Sequence, residues 1–294
     1  MSELVKRQRQ VLSALGAVLV VACGSSRGAS GEVVVTERES PNYTVFVIED
    51  AEGVRRLRFE RDGVDQSAVL LGEPDHLVFA YMRGLTAALA LKPDAPRVLI
   101  IGLGGGTLPM FIRAHRPDAH IDVVEIDPVV IDVARKDLGF VEDPALVAHL
   151  ADGRKFIEES AAAWDLIVLD AYGPNEIPSH LATRQFYEAA KRRLAPGGLL
   201  AANLWSEAAN KRYRSMLRTF EAVFPEVHVI ALPWSESRIV LALDAEQGLT
   251  KDALVKRAEA LKKSWELRFD LPMLVRRGHI GPDALPRGGT ILID

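Results

Sequence analysis

The stretch VLIIGLGGGTLPMFIRAHRPDAHIDVVEID, residues 98–127, decides the fold. Its apolar, β-branched start at 98–101 predicts a buried parallel strand. Glycines follow at once, and they allow a tight turn and the close approach of a ligand to the backbone. Residues 107–114 then predict a helix and residues 121–124 a second strand. The stretch is therefore a βαβ unit with a glycine turn at the start of its helix.

An acid at the end of the second strand indicates what the turn binds. Glu125 lies about 20 residues beyond the glycines, where βαβ nucleotide sites carry the acid that accepts ribose hydroxyls. The alternative is a glycine-rich packing turn of any doubly wound protein. The strand before the turn and the acid after it favour a nucleoside site, lined by Gly102, Gly104 and Gly106.

Composition narrows the choice of partners. The chain has 294 residues and a formal net charge of -4, and its few aromatic residues are not interleaved with basic runs. Nucleic acid is therefore not expected as a main partner. No His/Cys cluster has metal-ligand spacing, so no metal is expected, and a single cysteine excludes a disulfide framework within the chain.

The N-terminus resembles a bacterial lipoprotein signal. Lys6, Arg7 and Arg9 precede an uncharged apolar run at 11–22, which ends at Cys23 and a Gly/Ser-rich stretch. The run is too short to span a bilayer as a normal helix. The resemblance implies lipidation of Cys23, a membrane anchor and a flexible tether, with residues 1–31 as signal and tether. The alternative is a misassigned start or a plain leader, in which case the protein is cytoplasmic.

Two further regions follow. Residues 32–92 predict a small antiparallel β unit (32–72) and a linking helix (75–91), and residues 93–294 predict the main domain. The pattern of the main domain gives a Rossmann-like α/β fold with a seven-stranded, mostly parallel sheet. Its last two strands, 227–232 and 238–243, lack a helix-length connection and should form an antiparallel hairpin. The tail 285–294 predicts a loop and a short strand.

Acids at the carboxyl ends of two other strands should face the ligand crevice. Asp152 is placed to accept from an adenine amino group, with Gly153 beside it, or to cap the following helix, and both roles can hold together. Asp170 ends the next strand. By pattern alone, Gln66 and Tyr81 are ordinary surface and core residues.

At this point the chain resembles the spermidine synthase family of polyamine aminopropyltransferases, on the class I AdoMet-methyltransferase fold. The likeness rests on the glycine turn, on VVEID at 123–127, on ADGRKF at 151–156, on DGVDQ at 62–66 and FAY at 79–81, and on DAYGPNEIPSHLAT at 170–183. It implies nucleoside contacts from Glu125, Asp152 and Gly153. It also adds Gln66 and Tyr81 to the candidate site.

Several positions depart from the pattern of that family. Its acid within the glycine turn, which holds the donor's amine, is Gly105 here. The second acid of its signature is Gly173, and Met82-Arg83 replace a polar residue and a Glu. Each change removes a group that would bind a cationic diamine, because an ammonium out of water is costly unless paired.

Three functions follow as hypotheses. In the first, an aminopropyltransferase uses decarboxylated S-adenosylmethionine and a small-molecule amine, with Asp170 as general base and Tyr172 or Tyr81 orienting the amine. In the second, a methyltransferase uses S-adenosylmethionine, because Gly105 makes room for its carboxylate; Ile100, where classical methyltransferases carry an acid, argues against it. In the third, a lipoprotein binds a nucleoside without turnover. A homodimer is left open.

Overall fold

A computed structural model describes residues 31–173 and 177–294, so Cys23 and the predicted signal lie outside the described residues. The first part is a four-stranded antiparallel sheet in which neighbours in sequence are neighbours in space. Its strands are β1 (Val33–Glu39), β2 (Thr44–Glu49), β3 (Val54–Arg58) and β4 (Asp65–Leu70). The β2–β3 turn forms because the Asp50 carboxylate accepts from the Glu52 and Val54 amides.

The second sheet is the frame of the main domain. Its strands are β5 (Arg97–Ile101), β6 (His120–Glu125), β7 (Leu146–Leu150), β8 (Trp164–Leu169), β9 (Leu194–Trp205), β10 (Glu226–Ala231), β11 (Ser237–Leu243) and β12 (His279–Ile280). They lie in the order β12-β10-β11-β9-β8-β5-β6-β7. The pairs from β9 to β7 are parallel and the remaining pairs are antiparallel.

Helices cover both faces of this sheet. They are α1 (Ala80–Leu91), α2 (Thr107–His115), α3 (Pro128–Asp137), α4 (Gly153–Glu159), α5 (Arg184–Arg192), α6 (Tyr213–Val223), α7 (Lys251–Ser264) and α8 (Leu271–Gly278). Apolar residues of α1, α2, α7 and α8 pack on one face, and those of α4, α5 and α6 pack on the other. Burial on both faces explains why the parallel strands are almost continuously apolar.

A smaller apolar cluster joins the two sheets. Val45, Val47 and Leu57 of the first sheet pack against Val130 and Val133 of α3. This contact places β4 beside the glycine turn that precedes α2. The first sheet therefore forms a wall of the ligand crevice. The division at residue 92 stays a prediction, and α1 packs within the core of the main sheet.

The α/β class, the N-terminal antiparallel sheet and the β10–β11 hairpin agree with the sequence predictions, and three details differ. The main sheet has eight strands among the described residues, because the short β12 pairs with β10. Helix α1 begins at Ala80 rather than at residue 75. The carbonyl oxygens of Leu77 and Val78 accept hydrogen bonds from the Arg83 guanidinium instead of from helix amides.

The third difference is in the tail. The tail forms no strand, because its backbone groups make hydrogen bonds with residues of helices in the main domain. The Leu292 carbonyl accepts from the Arg184 amide, and the Leu292 amide donates to Thr219 Oγ1. Within the part of the chain that the structure describes, no helix combines the length and apolarity that crossing a membrane requires.

Candidate functional site

The site lies where the winding of the main sheet reverses. From β5 the chain proceeds through β6 to β7 on one side, and it then returns to build β8 and β9 on the other. In open α/β sheets such a switch point leaves a crevice at the carboxyl ends of the strands. Here the crevice is a cavity of about 680 Å³, lined by the ends of β5, β6, β8 and β9 and by β4 and Tyr43.

The glycine turn is shaped by close packing against the residues that follow β8 and α3. Gly102 has φ +100°, and a Cβ on it would lie 2.3 Å from the Asp170 carbonyl oxygen. Gly106 caps α2 with φ +74°, and a Cβ there would overlap Phe140. Only glycine meets both demands at these positions. The turn thus stays thin where it borders the cavity.

Glu125 holds the glycine turn in place. Its carboxylate accepts from the Leu103 amide (3.0 Å) and the Asp127 amide (3.0 Å), while the residue keeps surface facing the cavity. Burial raises the pKa of Glu125, and the amides oppose that shift. Each carboxylate oxygen has lone pairs beyond those two bonds, so the group can accept hydroxyls from a ligand as well.

Asp152 begins α4 and reaches the cavity at the same time. Its Oδ1 accepts from the Lys155 amide (3.0 Å), which is an N-cap, and its Oδ2 lies 2.9 Å from His180 Nε2. The capping role expected from the sequence is therefore present. Gly153 beside it is required by packing, because a Cβ there would lie 2.4 Å from Ile101 Cγ2.

Asp170 sits at the end of β8, enclosed by protein on every side except the cavity. Asn203 Nδ2 donates to its Oδ1 at 3.2 Å, and the Tyr81 phenol lies beside its carboxylate. Desolvation raises the pKa of Asp170 to about 7, and these two side chains moderate the shift. A carboxyl with a pKa near 7 is suited to exchange protons at neutral pH.

Tyr172 forms a firm wall next to this acid. Its hydroxyl donates to the Asn203 carbonyl (2.8 Å), and its ring stacks on Trp205 with centroids 5.0 Å apart. Burial, with the nearby Asp170 charge, raises the pKa of the Tyr172 phenol far above its ordinary value. The phenol is therefore a neutral, fixed side chain that presents an aromatic surface to the cavity.

The wall opposite carries Gln66 and Ser67 from β4. The Gln66 amide makes a long 3.5 Å contact with the Val64 carbonyl, which leaves it available to a ligand. Ser67 is 2 % exposed, and its hydroxyl has no hydrogen-bond partner among residues 31–173 and 177–294. A Cβ on Gly105 would lie 2.9 Å from Ser67 Oγ and 3.0 Å from Val69 Cγ2. The room that Gly105 was expected to leave for a carboxylate is therefore filled by side chains of β4.

The charge of the cavity favours a cationic ligand. Among the described residues that line it, the acids are Asp65, Glu125, Asp152 and Asp170, and none of these residues is a lysine or arginine. Asp65 is neutralised by Arg56 and Arg58. Carboxylates without matching bases in an enclosed space attract a sulfonium or an ammonium. Residues 31–173 and 177–294 hold no group of three side chains that would bind a metal.

The structure brings most of the predicted site residues to this cavity. Its lining includes Gln66, Tyr81, Gly102, Gly104, Glu125, Asp152, Gly153, Asp170 and Tyr172. Gly106 instead caps α2 behind the turn. Their binding and catalytic roles stay predictions.

Sequence reasoning missed three residues of the site. Asn203 ends a predicted strand, so the strand-end rule used for Asp170 could have found it. Ser67 and Tyr43 come from the first sheet, and no sequence signal marks them, because their place depends on how the two sheets pack.

The fold and the cavity define a doubly wound α/β protein with an acidic, ligand-sized crevice at its switch point. A family model for the spermine/spermidine synthase domain matches residues 79–237. A polyamine aminopropyltransferase of Vibrio vulnificus is 32% identical over 234 residues, which is 78% of this chain and 74% of that protein. The chain belongs to the spermine/spermidine synthase family.

Solved structures show the same fold. A probable spermidine synthase from Corynebacterium glutamicum superposes with a TM-score of 0.69 at 24% identity, over 78% of this chain and 86% of that one. Human Methyltransferase-like protein 13, solved in complex with SAH, superposes with a TM-score of 0.59 at 29% identity. The superposition covers 64% of this chain and 93% of that one. The architecture is thus shared by proteins named for two different transfer reactions.

Proposed function

We propose that this protein transfers an aminopropyl group from decarboxylated S-adenosylmethionine to a small-molecule amine, as in polyamine biosynthesis. The observation that carries this function is Asp170, an acid at the switch point with a pKa of about 7, a hydrogen bond from Asn203 and the Tyr81 phenol beside it. Membership of the spermine/spermidine synthase family supports it, since the Vibrio vulnificus relative is named a polyamine aminopropyltransferase.

The nucleoside of the donor would lie on the β6–β7 side of the cavity. Glu125 would accept the ribose hydroxyls through the lone pairs left by its two amide bonds. The Asp152 carboxylate would accept from the adenine amino group, with His180 fixing its orientation. The donor's sulfonium is favoured by the excess of carboxylates over bases in the lining.

The chemistry is a direct displacement. The amine nitrogen attacks the methylene carbon next to the sulfonium, so an N–C bond forms and the C–S bond breaks. The electron pair of that bond stays on sulfur, which leaves neutral 5′-methylthioadenosine. The attacking nitrogen gives its proton to Asp170, whose pKa of about 7 suits both uptake and later release at neutral pH. The enclosed cavity also accelerates the reaction by aligning the attacking nitrogen with the methylene carbon.

The acceptor would differ from a short diamine. Gly173 supplies no carboxylate, and Tyr172 presents a fixed aromatic wall stacked on Trp205. An amine that carries fewer charges, or an apolar body, therefore fits this half of the site better than putrescine. We expect slow transfer to putrescine and faster transfer to such an amine.

A second candidate is methyl transfer from S-adenosylmethionine, which the neighbour solved in complex with SAH favours. The cavity argues against it, because none of the described lining residues is a lysine or arginine that would pair with the donor's carboxylate. Filling of the space at Gly105 by Ser67 argues in the same direction.

The test is product analysis with both donors. The full chain in detergent is incubated with decarboxylated S-adenosylmethionine or S-adenosylmethionine and a panel of amines, and products are identified by mass spectrometry. We expect 5′-methylthioadenosine and an aminopropylated amine, lost in Asp170→Asn. Methylated products, or no product with any amine, would overturn the proposal. Binding of 5′-methylthioadenosine without turnover would instead favour a nucleoside-binding protein.

We also propose that Cys23 anchors the protein to a membrane, which the sequence of its N-terminus supports. The protein would then act at the cell envelope. A cytoplasmic donor would have to reach it there.

A further inference from the structure

Arg154 is a charged residue beside the cavity that the proposed chemistry leaves without a task. It is the second residue of α4, two positions after Asp152, and its side chain is 19% exposed. Its Nη1 and Nη2 donate to Asp294 Oδ1 and Oδ2, both at 2.6 Å, so the pair is bidentate. Its Nε donates to Glu158 at 2.8 Å. Because the guanidinium is planar, these three bonds fix its orientation.

The same guanidinium reaches the loop that follows β8. The His180 loop is defined here as residues 177–183, and His180 and two of its neighbours line the cavity. Arg154 Nη1 donates to the His180 carbonyl in a long contact of 3.4 Å, while His180 Nε2 lies 2.9 Å from Asp152 Oδ2. The loop therefore contacts the start of α4 twice, once at Asp152 and once at Arg154.

The tail holds the far end of the same loop. The Leu292 carbonyl accepts from the Arg184 amide at 2.8 Å, and the Asp294 amide donates to Gln185 Oε1 at 3.3 Å. Both contacts lie in the first turn of α5, directly after the loop. Because the Asp294 carboxylate binds Arg154, the tail connects the start of α5 with the start of α4.

The Asp294–Arg154 pair is ionised at neutral pH. The Arg154 guanidinium lowers the pKa of Asp294 to about 2, and the pKa of Arg154 is itself raised by its bonds to Asp294 and Glu158. Ion pairs near the surface stabilise a fold little, but a bidentate pair fixes direction. Its effect is therefore expected on the orientation of its neighbours rather than on the free energy of unfolding.

We propose that Arg154 is a positioning residue for the nucleoside half of the site and that the tail, through Asp294, keeps it in place, an inference that rests on the proposed function. Arg154 acts through its neighbours, because it holds the His180 loop against α4. The His180 ring then stays on Asp152, whose carboxylate is already oriented when the adenine amino group arrives. Binding costs less free energy when the protein group is ordered beforehand.

The first experiment measures binding of 5′-methylthioadenosine by calorimetry, with the full chain in detergent. Asp294→Asn removes the charge of the pair, and Arg154→Met removes the guanidinium. We expect each variant to weaken binding by about threefold to tenfold, the effect of a hydrogen bond to Asp152 that is no longer held in place. Glu188→Gln is the matched control, because it breaks the exposed Arg184–Glu188 pair of α5 and should bind like the wild type. Wild-type affinity in either test variant would overturn the proposal.

A double-mutant cycle tests whether the tail acts through Arg154. If it does, Asp294→Asn adds nothing to Arg154→Met, and the double variant binds within about twofold of Arg154→Met alone. Arg154→Met should likewise add nothing to His180→Ala, because the loss of the ring already frees Asp152. Losses that multiply in both cycles would mean that these residues act independently, and the proposal would be wrong.

Steady-state turnover and thermal unfolding separate positioning from general damage. In Asp294→Asn the KM for decarboxylated S-adenosylmethionine should rise while kcat stays within about twofold, because binding is affected and Asp170 is not. Arg154→Lys keeps the charge and should recover part of the affinity that Arg154→Met loses. Both asparagine and methionine variants should melt within about 4 °C of the wild type. A lower kcat at unchanged KM would overturn the proposal.

The outcomes also separate this inference from the proposed function. If the wild type does not bind 5′-methylthioadenosine, the proposed nucleoside site fails and the inference falls with it. If the wild type binds it and transfers an aminopropyl group, but Asp294→Asn and Arg154→Met behave like the wild type, the inference alone is wrong.

Discussion

At the scale of single residues, Glu125 combines a structural and a binding task. Its carboxylate takes two backbone amides and still faces the cavity. We predict that Glu125→Ala lowers the affinity for 5′-methylthioadenosine by about tenfold to a hundredfold. The reason is the loss of charge-assisted hydrogen bonds worth about 1.5–3 kcal/mol. Calorimetry measures this directly. Lys136→Ala, on the exposed side of α3, is the control and should bind like the wild type. Unchanged affinity in Glu125→Ala would show that the nucleoside lies elsewhere.

Asp170 lowers the stability of the folded protein at neutral pH, because its carboxylate is enclosed. Its pKa of about 7 in the folded state lies above the ordinary value of 3.8, so the folded protein binds the additional proton between these values. The contribution of this group to stability is therefore complete below about pH 4 and is lost as the pH rises toward 7. We predict that Asp170→Asn is more stable than the wild type at pH 8 and that this advantage shrinks toward pH 4.

Denaturant unfolding at several pH values checks this prediction. Asp94→Asn, at a side chain that is 96% exposed, serves as the control and should run parallel to the wild type. A constant difference between Asp170→Asn and the wild type at all pH values would mean that the acid titrates normally in the folded protein.

At the scale of elements, the glycine turn depends on space as much as on backbone conformation. Gly102 and Gly53 both have positive φ, but a Cβ at Gly53 meets nothing within 4 Å, whereas one at Gly102 meets the Asp170 carbonyl at 2.3 Å. Gly53→Ala should therefore cost about 1–2 kcal/mol, from the left-handed backbone alone. We predict that Gly102→Ala costs about 2–5 kcal/mol, because overpacking is added to that strain. Thermal unfolding of both variants compares them, and equal losses would contradict the packing argument.

The edge strand β12 carries a pH-dependent contact. His279 Nε2 lies 2.9 Å from His228 Nδ1, and His228 Nε2 lies 2.8 Å from the Glu226 carboxylate. Burial, with electrostatic repulsion from the neighbouring His228 and Lys251, lowers the pKa of His279 to about 4. The folded state thus favours neutral His279, and this contribution to stability is present above about pH 6.5 and lost as the pH falls to 4.

Acidification from pH 6.5 to 4 should lower the free energy of unfolding of the wild type. We predict that this decrease is smaller in His279→Gln. Unfolding free energies across that range test it, with the exposed His120→Gln as the control. If His279→Gln and the wild type lose stability in parallel on acidification, His279 does not carry the effect.

At the scale of the whole molecule, the site is completed by packing between the two sheets. The apolar contacts between β2, β3 and α3 place β4 against the glycine turn, and Tyr43, Gln66 and Ser67 enter the cavity as a result. Removing the first sheet would leave the crevice open on that side. Its arginines are matched by acids, as in the pair of Arg58 with Asp65, so the wall adds little net charge.

The other prediction at this scale concerns the N-terminus. The basic start and the apolar run ending at Cys23 predict a lipid-anchored protein. Fractionation of cells expressing the wild type should place the protein in the membrane pellet, and Cys23→Ser should release it or leave its leader uncleaved. If both remain soluble and full length, the anchor is ruled out. A variant at a nearby serine, Ser26→Ala, is the matched control.

Much of this protein was determined by its sequence alone. The alternation of apolar strands and helices requires a doubly wound sheet, because strands buried on both faces must be apolar throughout. The glycine turn, Glu125, Asp152 and Asp170 follow from the rule that strand ends face the crevice. The local sequence pattern is enough to locate these residues, because each one lies at the end of a strand or in a turn of its own βαβ unit.

Only the tertiary structure decided what surrounds those residues. Ser67 and Tyr43 reach the cavity through packing between sheets, and Gly105 opens no space because Ser67 and Val69 fill it. The raised pKa of Asp170 depends on enclosure by several elements. The eighth strand exists because His279 and Ile280 meet β10, far away in the chain. These features arise from contacts between distant segments, whose geometry is set by the packing of whole elements rather than by local sequence.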